Sequence, residues 1–473
     1  MGTLTMKFGG ASVGTAAALA QVSSIILHES KRREQVLIVA SALEGVTDML
    51  LEAAQFARLS NQRGYRRIAA TLRTRHLALV EQLPLDTADR NVLQADIDRL
   101  LFDMLDQCQK IASHLNNELS PSLSDSVVAM GERLSARIIA ALLRQNGIRG
   151  IAVDGTDLLI TDDAHGNANP NLELTAQRVE DLLLPMLERN MIPVVTGYIG
   201  ATVDGATTTL GRGGTDFTAS VLSALIAADE LWLWTDVDGM MSADPREVPG
   251  AHVISELNYS EAAELAYFGA KILHAKMIAP LANQSLPLRI KNIFKPQQPG
   301  TLISLNANNQ QPVIKAVTSI QSLSLSRPSS GSMAGITRMV GSTLFETLGM
   351  RTDVMISSQS SNSSFLCLVI PTSIGIDGVD RLQQAMRAKM AEYPQKMPWA
   401  IETISIVTAI GNNLNQAPKL LAKVLEKLDD IHIYALALGP SNCSITVAVA
   451  LEDSPNAVLR IHELTAKSDP DND

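Results

Sequence analysis

Apolar positions follow two regimes along the chain. From Thr3 to about Met240, the short β-branched runs LTMKF, VLIVA, IAVDG, IPVVTG and ELWLWTDV alternate with stretches whose apolar residues recur every three or four positions. This alternation predicts βαβ crossovers and a mainly parallel sheet covered on both faces, an α/β domain. Between Thr47 and Asn146 the period is helical throughout, as in Leu93, Ile97, Leu100, Leu101, Met104 and Leu105, with Pro84 and Pro121 as breaks. A block of helices beside the sheet is expected there. A helix is also expected over Thr218 to Ala228, ahead of the last strand of this series.

The second regime begins after Phe294–Pro312, a stretch crowded with Pro, Gly, Asn and Gln that reads as a domain boundary. Beyond it the chain repeats itself weakly. Gly331 recurs as Gly411, Glu346 and Leu348 as Glu426 and Leu428, and Ser361-Asn362 as Ser441-Asn442, while Ser364 and Ser444 each precede an alternating apolar strand. Each copy reads strand, glycine turn, helix, strand, serine-rich turn, strand and a further helix, so two small α+β modules are expected. The domain limits follow as 1–305 with a helical insertion at about 47–130, then 313–392 and 398–466, with 467–473 a disordered tail.

Composition narrows the function classes. The chain has 473 residues, 46% apolar and 19% charged, which excludes a disulfide-stapled miniature and a wholly disordered chain. Its 49 acidic against 39 basic residues leave a net charge of −10, and no basic run exceeds Lys31-Arg32-Arg33, so neither nucleic acid nor an anionic membrane is an expected partner. The start MGTLTMKFGG has no secretory pattern, and no apolar stretch reaches the roughly eighteen residues of a membrane span, so a cytoplasmic protein is expected. Cys108, Cys367 and Cys443 are too scattered for a disulfide framework or a zinc site and are expected as buried thiols; no protein-built metal site is expected.

Three segments carry candidate chemistry. The first strand runs into Lys7-Phe8-Gly9-Gly10-Ala11-Ser12-Val13-Gly14 and then a helix, which offers main-chain N–H groups and a lysine to an anion. Thr15 stands where a Walker A loop needs its lysine, and the Rossmann spacing is absent. The second segment, Gly211-Arg212-Gly213-Gly214-Thr215-Asp216, joins a guanidinium, a hydroxyl and a carboxylate, with Asp216 either capping a helix or orienting a lysine. The third, Trp234-Thr235-Asp236-Val237-Asp238-Gly239 followed by Ala243-Asp244-Pro245-Arg246, ends a strand in polar groups suited to a nucleoside. Three such segments at the carboxyl ends of strands mark where α/β sheets bind ligands.

Together these residues resemble the amino acid kinase superfamily and, within it, the aspartokinases. KFGGASV, GRGGTD and WTDVDG with ADPR are similar to the family's signatures, as are Ser41 with Gly45-Val46-Thr47, Gly131-Glu132-Arg133, Phe268 to His274, and Lys291-Asn292 with Pro299-Gly300-Thr301. The resemblance implies a three-layer kinase domain with a mainly parallel sheet, followed by two ferredoxin-like ACT modules, the second often inserted into the first. It implies phosphorylation of the L-aspartate β-carboxylate by ATP with nucleotide-bound Mg2+, the first step toward lysine, threonine and methionine. Lys7 and Asp216 then serve phosphoryl transfer. Ser41, Thr47, Glu132, Arg212, Gly213, Gly214 and Thr215 hold aspartate. Lys7, Phe8, Gly9, Gly10, Thr235, Asp236, Met241, Asp244, Arg246 and Lys271 line the nucleotide site. The resemblance also implies a lysine, threonine or methionine effector at the ACT modules and a homodimer or dimer of dimers. Ala11 replaces the family's Thr or Ser, Met241 a common tyrosine, and Asn362 a glutamate of the effector turn. A kinase for glutamate, N-acetylglutamate, carbamate or a nucleotide, and a non-catalytic amino-acid sensor, are the competing readings.

Overall fold

The computed structural model describes residues 2–113, 121–269, 273–305, 307, 311–327, 333–348, 354–359, 364–369, 375–391 and 400–465. These form two compact units.

The first unit is built on an eight-stranded sheet, in the order Gly150–Val153, Ile192–Thr196, Gln35–Ala40, Thr3–Phe8, Glu230–Thr235, Leu288–Asn292, Thr301–Ile303 and Glu256–Leu257. Every pairing is parallel except that of Thr301–Ile303 with Leu288–Asn292. The central strands are apolar on both faces because helices cover both, with Ile38, Val39 and Ala40 buried beside Val194 and Val195. The helical block holds Val46–Arg58, Gln62–Glu81, Thr87–Ser113, Pro121–Val128 and Met130–Gln145, with Pro84 lying between helices and Pro121 opening one. Cys108 is buried in this block as a free thiol.

The helix expected from Thr218 starts four residues earlier and runs Gly214–Leu225. Gly213, at φ 74, takes the left-handed conformation at the cap, so the turn closes before Thr215 and Asp216 instead of after them. Asp216 therefore lies in the first turn, where a carboxylate complements the helix dipole, and not at the cap.

The second unit contains a six-stranded antiparallel sheet, in the order Val354–Gln359, Ser364–Val369, Val313–Arg327, Ala400–Asn412, Ser444–Ala450 and Ile433–Leu438. Each half reads strand, helix, strand, strand, helix, and the halves join along their first strands, Val313–Arg327 against Ala400–Asn412. That is the repeat seen in the sequence. Its glycine is not in a turn, however. Gly411 lies inside a strand, where a Cβ would sit 1.9 Å from the Val313 carbonyl oxygen, so close strand approach explains it. Gly331 and the Ser361-Asn362 turn lie outside the described residues, as does 467–473. Thr465 bridges Ile314 in parallel, a short return of the chain end to the first half.

Met241–Ile254, although inside 1–305, belongs to the second unit. Ala243 and Val248 bury themselves with Ile314, Val317 and Val407, and the Val317 N–H donates to the Ser242 carbonyl at 2.8 Å. Apolar burial, invisible to linear position, groups this segment with the second compact unit.

Candidate active site

Phe8, Ala40, Thr196 and Trp234 stand in register across neighbouring parallel strands, so the loops after them emerge in one row at one edge of the sheet. That row carries Gly9-Gly10, Ser41, Gly197 and Asp236. The Lys7 ammonium lies 2.5 Å from Asp216 Oδ1. The two come from separate glycine segments, brought together because Gly214–Leu225 packs on the face of the sheet toward which Lys7 points. Gly9 and Gly10 follow directly. A Cβ on Gly10 would approach the Ala42 carbonyl oxygen to 3.1 Å, which a side chain does not tolerate without movement.

Phe8 behaves differently from its neighbour. Its ring is fully buried and stacks on Trp234, centroids 6.2 Å apart and planes 5° from parallel. Side chains alternate along a strand, so Lys7 and Phe8 face opposite sides of the sheet, and only the main chain of Phe8 borders the Gly9-Gly10 turn.

Glu132, in the first turn of Met130–Gln145, is 3% exposed. Its Oε1 accepts from the Ala42 N–H at 3.2 Å, while Oε2 has no partner among the described residues. Burial pushes its carboxyl up to about 8, against the smaller opposing effect of the Ala42 hydrogen bond. Gly131 permits this approach, since a Cβ there would meet that of Ala42 at 2.8 Å. Ser41 and Thr47, both half-buried, flank the same loop, Ser41 donating its N–H to the Phe8 carbonyl.

Gly213, Gly214 and Thr215 are tightly framed: a Cβ on Gly213 would reach 2.4 Å from His274, one on Gly214 2.8 Å from Tyr198, and Thr215 itself fills the space beside Gly197. Arg212 is exposed and holds no ion pair among the described residues, leaving its guanidinium available to an anion. Burial lowers His274, and Asp216 and Arg212 both act on its charge.

Thr235 donates to Asp236 at 3.1 Å, and the Asn292 amide donates to the Asp236 carbonyl at 3.3 Å. In the second unit, Arg246 grips Asp244 through two nitrogens, with Nε 2.9 Å and Nη2 2.5 Å from the carboxylate, and Met241 is half-buried. Lys271 lies outside the described residues.

Sequence reasoning missed Asp125. It is 5% exposed and accepts from Thr209 N–H at 3.1 Å, Thr209 Oγ1 at 2.7 Å, Gly166 N–H at 3.0 Å and His165 Nδ1 at 3.0 Å. Thr209 leads into Gly211-Arg212, and a Cβ on Gly211 would meet Gly166 O at 3.0 Å and Asn167 Oδ1 at 2.8 Å. Asp125 thus positions the arginine loop. Tyr198 is held at φ 69, and burial pushes its phenol up to about 12, with the charges of Glu132 and Asp125 acting in the same direction.

Comparison with known proteins bears on the family and the fold. The model of the amino acid kinase family matches residues 3–292. Aspartokinase 2, chloroplastic, of Arabidopsis thaliana is 30% identical over 99% of this chain and 85% of its own length. Bifunctional aspartokinase/homoserine dehydrogenase 1, chloroplastic, of the same plant is 30% identical over 96% of this chain, and the chain spans 50% of that relative's length. The fold matches aspartokinase III of E. coli solved with aspartate and ADP, at 28% identity and a TM-score of 0.78, covering 98% of this chain and 99% of that one. It also matches the same enzyme solved with lysine and aspartate, at 28% identity and a TM-score of 0.79, covering 98% and 100% of the two chains.

Proposed function

The chain belongs to the amino acid kinase family, among the aspartokinases, and from that premise we propose that it phosphorylates the β-carboxylate of L-aspartate with ATP, giving 4-phospho-L-aspartate. The observation that carries this reading is the meeting of Lys7 and Asp216 at 2.5 Å beside a glycine turn, with a buried, under-satisfied Glu132 reaching the neighbouring loop at Ala42 from the first turn of its helix. Phosphoryl transfer asks for positive charge on the phosphates and an in-line nucleophile, with little covalent work by the protein. The β-carboxylate is already ionised near neutral pH, so no strong base is needed. Lys7 neutralises phosphate charge, and Asp216 fixes the position of its ammonium. Arg212 takes a substrate carboxylate, and Glu132 takes the α-ammonium through its free oxygen. Thr235, Asp236, Met241, Asp244, Arg246 and Lys271 are assigned to the nucleotide.

Mg2+ is the metal this family's chemistry calls for. One carboxylate beside one ammonium suits an ion carried on the phosphates better than a protein cage, and no cluster of three metal-binding side chains occurs among the described residues. Mg2+ would supply charge neutralisation at the phosphates.

The paired βαββα repeats are the ACT-type regulatory half, and we assign lysine, threonine or methionine as effector there, with lysine favoured by the E. coli relative. The edge strand Ile433–Leu438 exposes Tyr434, Leu436 and Leu438 on one face, which supports a homodimer or dimer of dimers. No described helix is long and apolar enough to cross a membrane, consistent with the cytoplasmic assignment we propose.

The test is ADP release from ATP and Mg2+ with aspartate, with glutamate as control, repeated with lysine, threonine and methionine. Turnover on aspartate alone is the expected result. Magnesium-dependent ATP binding without turnover on either acid would instead favour the sensor reading.

A further inference from the structure

The face of the sheet opposite Lys7 holds a cavity of about 270 Å³ that the proposed reaction does not use. Its walls are the helix Ala16–Ser30, the strand residues Trp232, Trp234 and Lys291, and the loop at Pro296. The alternation that sends Lys7 to Asp216 sends Phe8 and Trp234 to this side, so the cavity is separated from the Lys7–Asp216 pair by the sheet itself.

Its lining is rich in donors. Trp234 is 2% exposed, and its indole N–H, like that of Trp232, has no acceptor among the described residues. Two buried indole donors without partners are uncommon, because each gives up its hydrogen bond to water without a replacement. Lys291, 8% exposed, sits over both rings, 5.2 Å and 5.6 Å from their centroids, and donates to the Gln298 carbonyl at 2.9 Å. Burial holds its ammonium below the usual lysine range. Arg32 and His28 stand at the rim, and Glu29, the acid of the lining, lies 3.8 Å from Arg33 and 3.9 Å from His28.

We propose that this cavity is a second binding site, for a small anion whose carboxylate or phosphate oxygens accept from Lys291, the indoles and Arg32. The apolar contribution of Ile25 and Pro296 leaves room for a short carbon body. The site also touches the phosphate turn from behind: the Trp234 carbonyl accepts from Gly9 N–H at 3.4 Å and from Ser12 Oγ at 3.2 Å.

The tryptophans report the test directly, since Trp232 and Trp234 are two of the chain's 3. Intrinsic emission of the full chain is titrated with inorganic phosphate and, separately, with acetate, ionic strength being held with chloride. A saturable change with at least one anion is expected, and which anion gives it distinguishes the two chemistries. The apparent affinity should weaken about tenfold in Lys291→Met and in Arg32→Gln. Arg32 is exposed, so its variant keeps the test valid if Lys291→Met fails to fold. Anion held at the Gly9 turn would not respond to Arg32→Gln. A linear response with both anions, or a saturable one unchanged in the folded variants, overturns the proposal.

Discussion

Asp125 and Glu132 are both buried carboxylates on the helical block, seven residues apart in number and opposite in treatment. Asp125 receives donors from Thr209, Gly166 and His165, and its charge is fully accounted for by the protein. Glu132 receives one main-chain N–H, and its second oxygen is left without a partner among the described residues. Burial by itself does not distinguish them. The number of donors does: a satisfied acid holds loops together, whereas an under-satisfied one waits for a donor from outside. On this reading Glu132 meets the substrate, and Asp125 positions the loop that carries Arg212.

The substitution that breaks the contrast most is Glu132→Gln. It keeps the shape and the Ala42 contact but removes the charge that would face an ammonium, and loss of one partner of a buried pair costs on the order of 2–5 kcal/mol. The aspartate KM should rise about 100-fold, with the ATP KM little changed. Steady-state kinetics with each substrate varied decides the matter; an aspartate KM near the unaltered value removes Glu132 from the substrate site.

Asp125→Ala should act in the other order, on structure first and on binding second. Several buried donors lose their acceptor, at about 1–3 kcal/mol each, so amide exchange at Thr209 and Gly166 should accelerate about 100-fold or less. Aspartate KM should rise about tenfold, because Arg212 is displaced and not removed. Exchange measured by NMR or mass spectrometry reads the first effect. Unchanged protection at Thr209 would show that Asp125 does not hold the loop.

The two acids were not equally legible in the sequence. Glu132 stands in Gly131-Glu132-Arg133, a local signature at the start of a helix with a clear apolar period. Asp125 has no local sign, since its donors arrive 40 and 84 residues later in the chain. The same distinction runs through the fold. The parallel strands and the two C-terminal repeats announce themselves through short-range periodicity. The second-unit allegiance of Met241–Ile254 depends on the burial of Ala243 and Val248 against distant strands, which periodicity does not record. Phe8 was legible as the residue that leads into a glycine turn, but its ring direction follows from strand alternation and from Trp234, far away in sequence. The helix start at Gly214 was misplaced because a left-handed glycine substitutes for the polar cap that sequence rules look for.

The smallest expected effect sharpens the contrast through pH. Glu132 ionises near 4.5 when unperturbed and at about 8 in the folded chain, so between these values the folded state binds more protons than the unfolded one. Its contribution to stability is therefore present at low pH and lost as pH rises toward about 8. Substrate reverses the preference, since an ammonium beside Glu132 favours the carboxylate. From about pH 7 to about pH 8 the ionised share rises from roughly one tenth to one half, so the aspartate KM should fall about fivefold. The α-ammonium of aspartate stays charged across that interval, so the slope belongs to the protein. In Glu132→Gln the slope should vanish, while in Asp125→Ala it should persist at a higher KM. A slope that survives in Glu132→Gln would assign the titration to another group and leave the donor-count distinction between the two acids without its kinetic support.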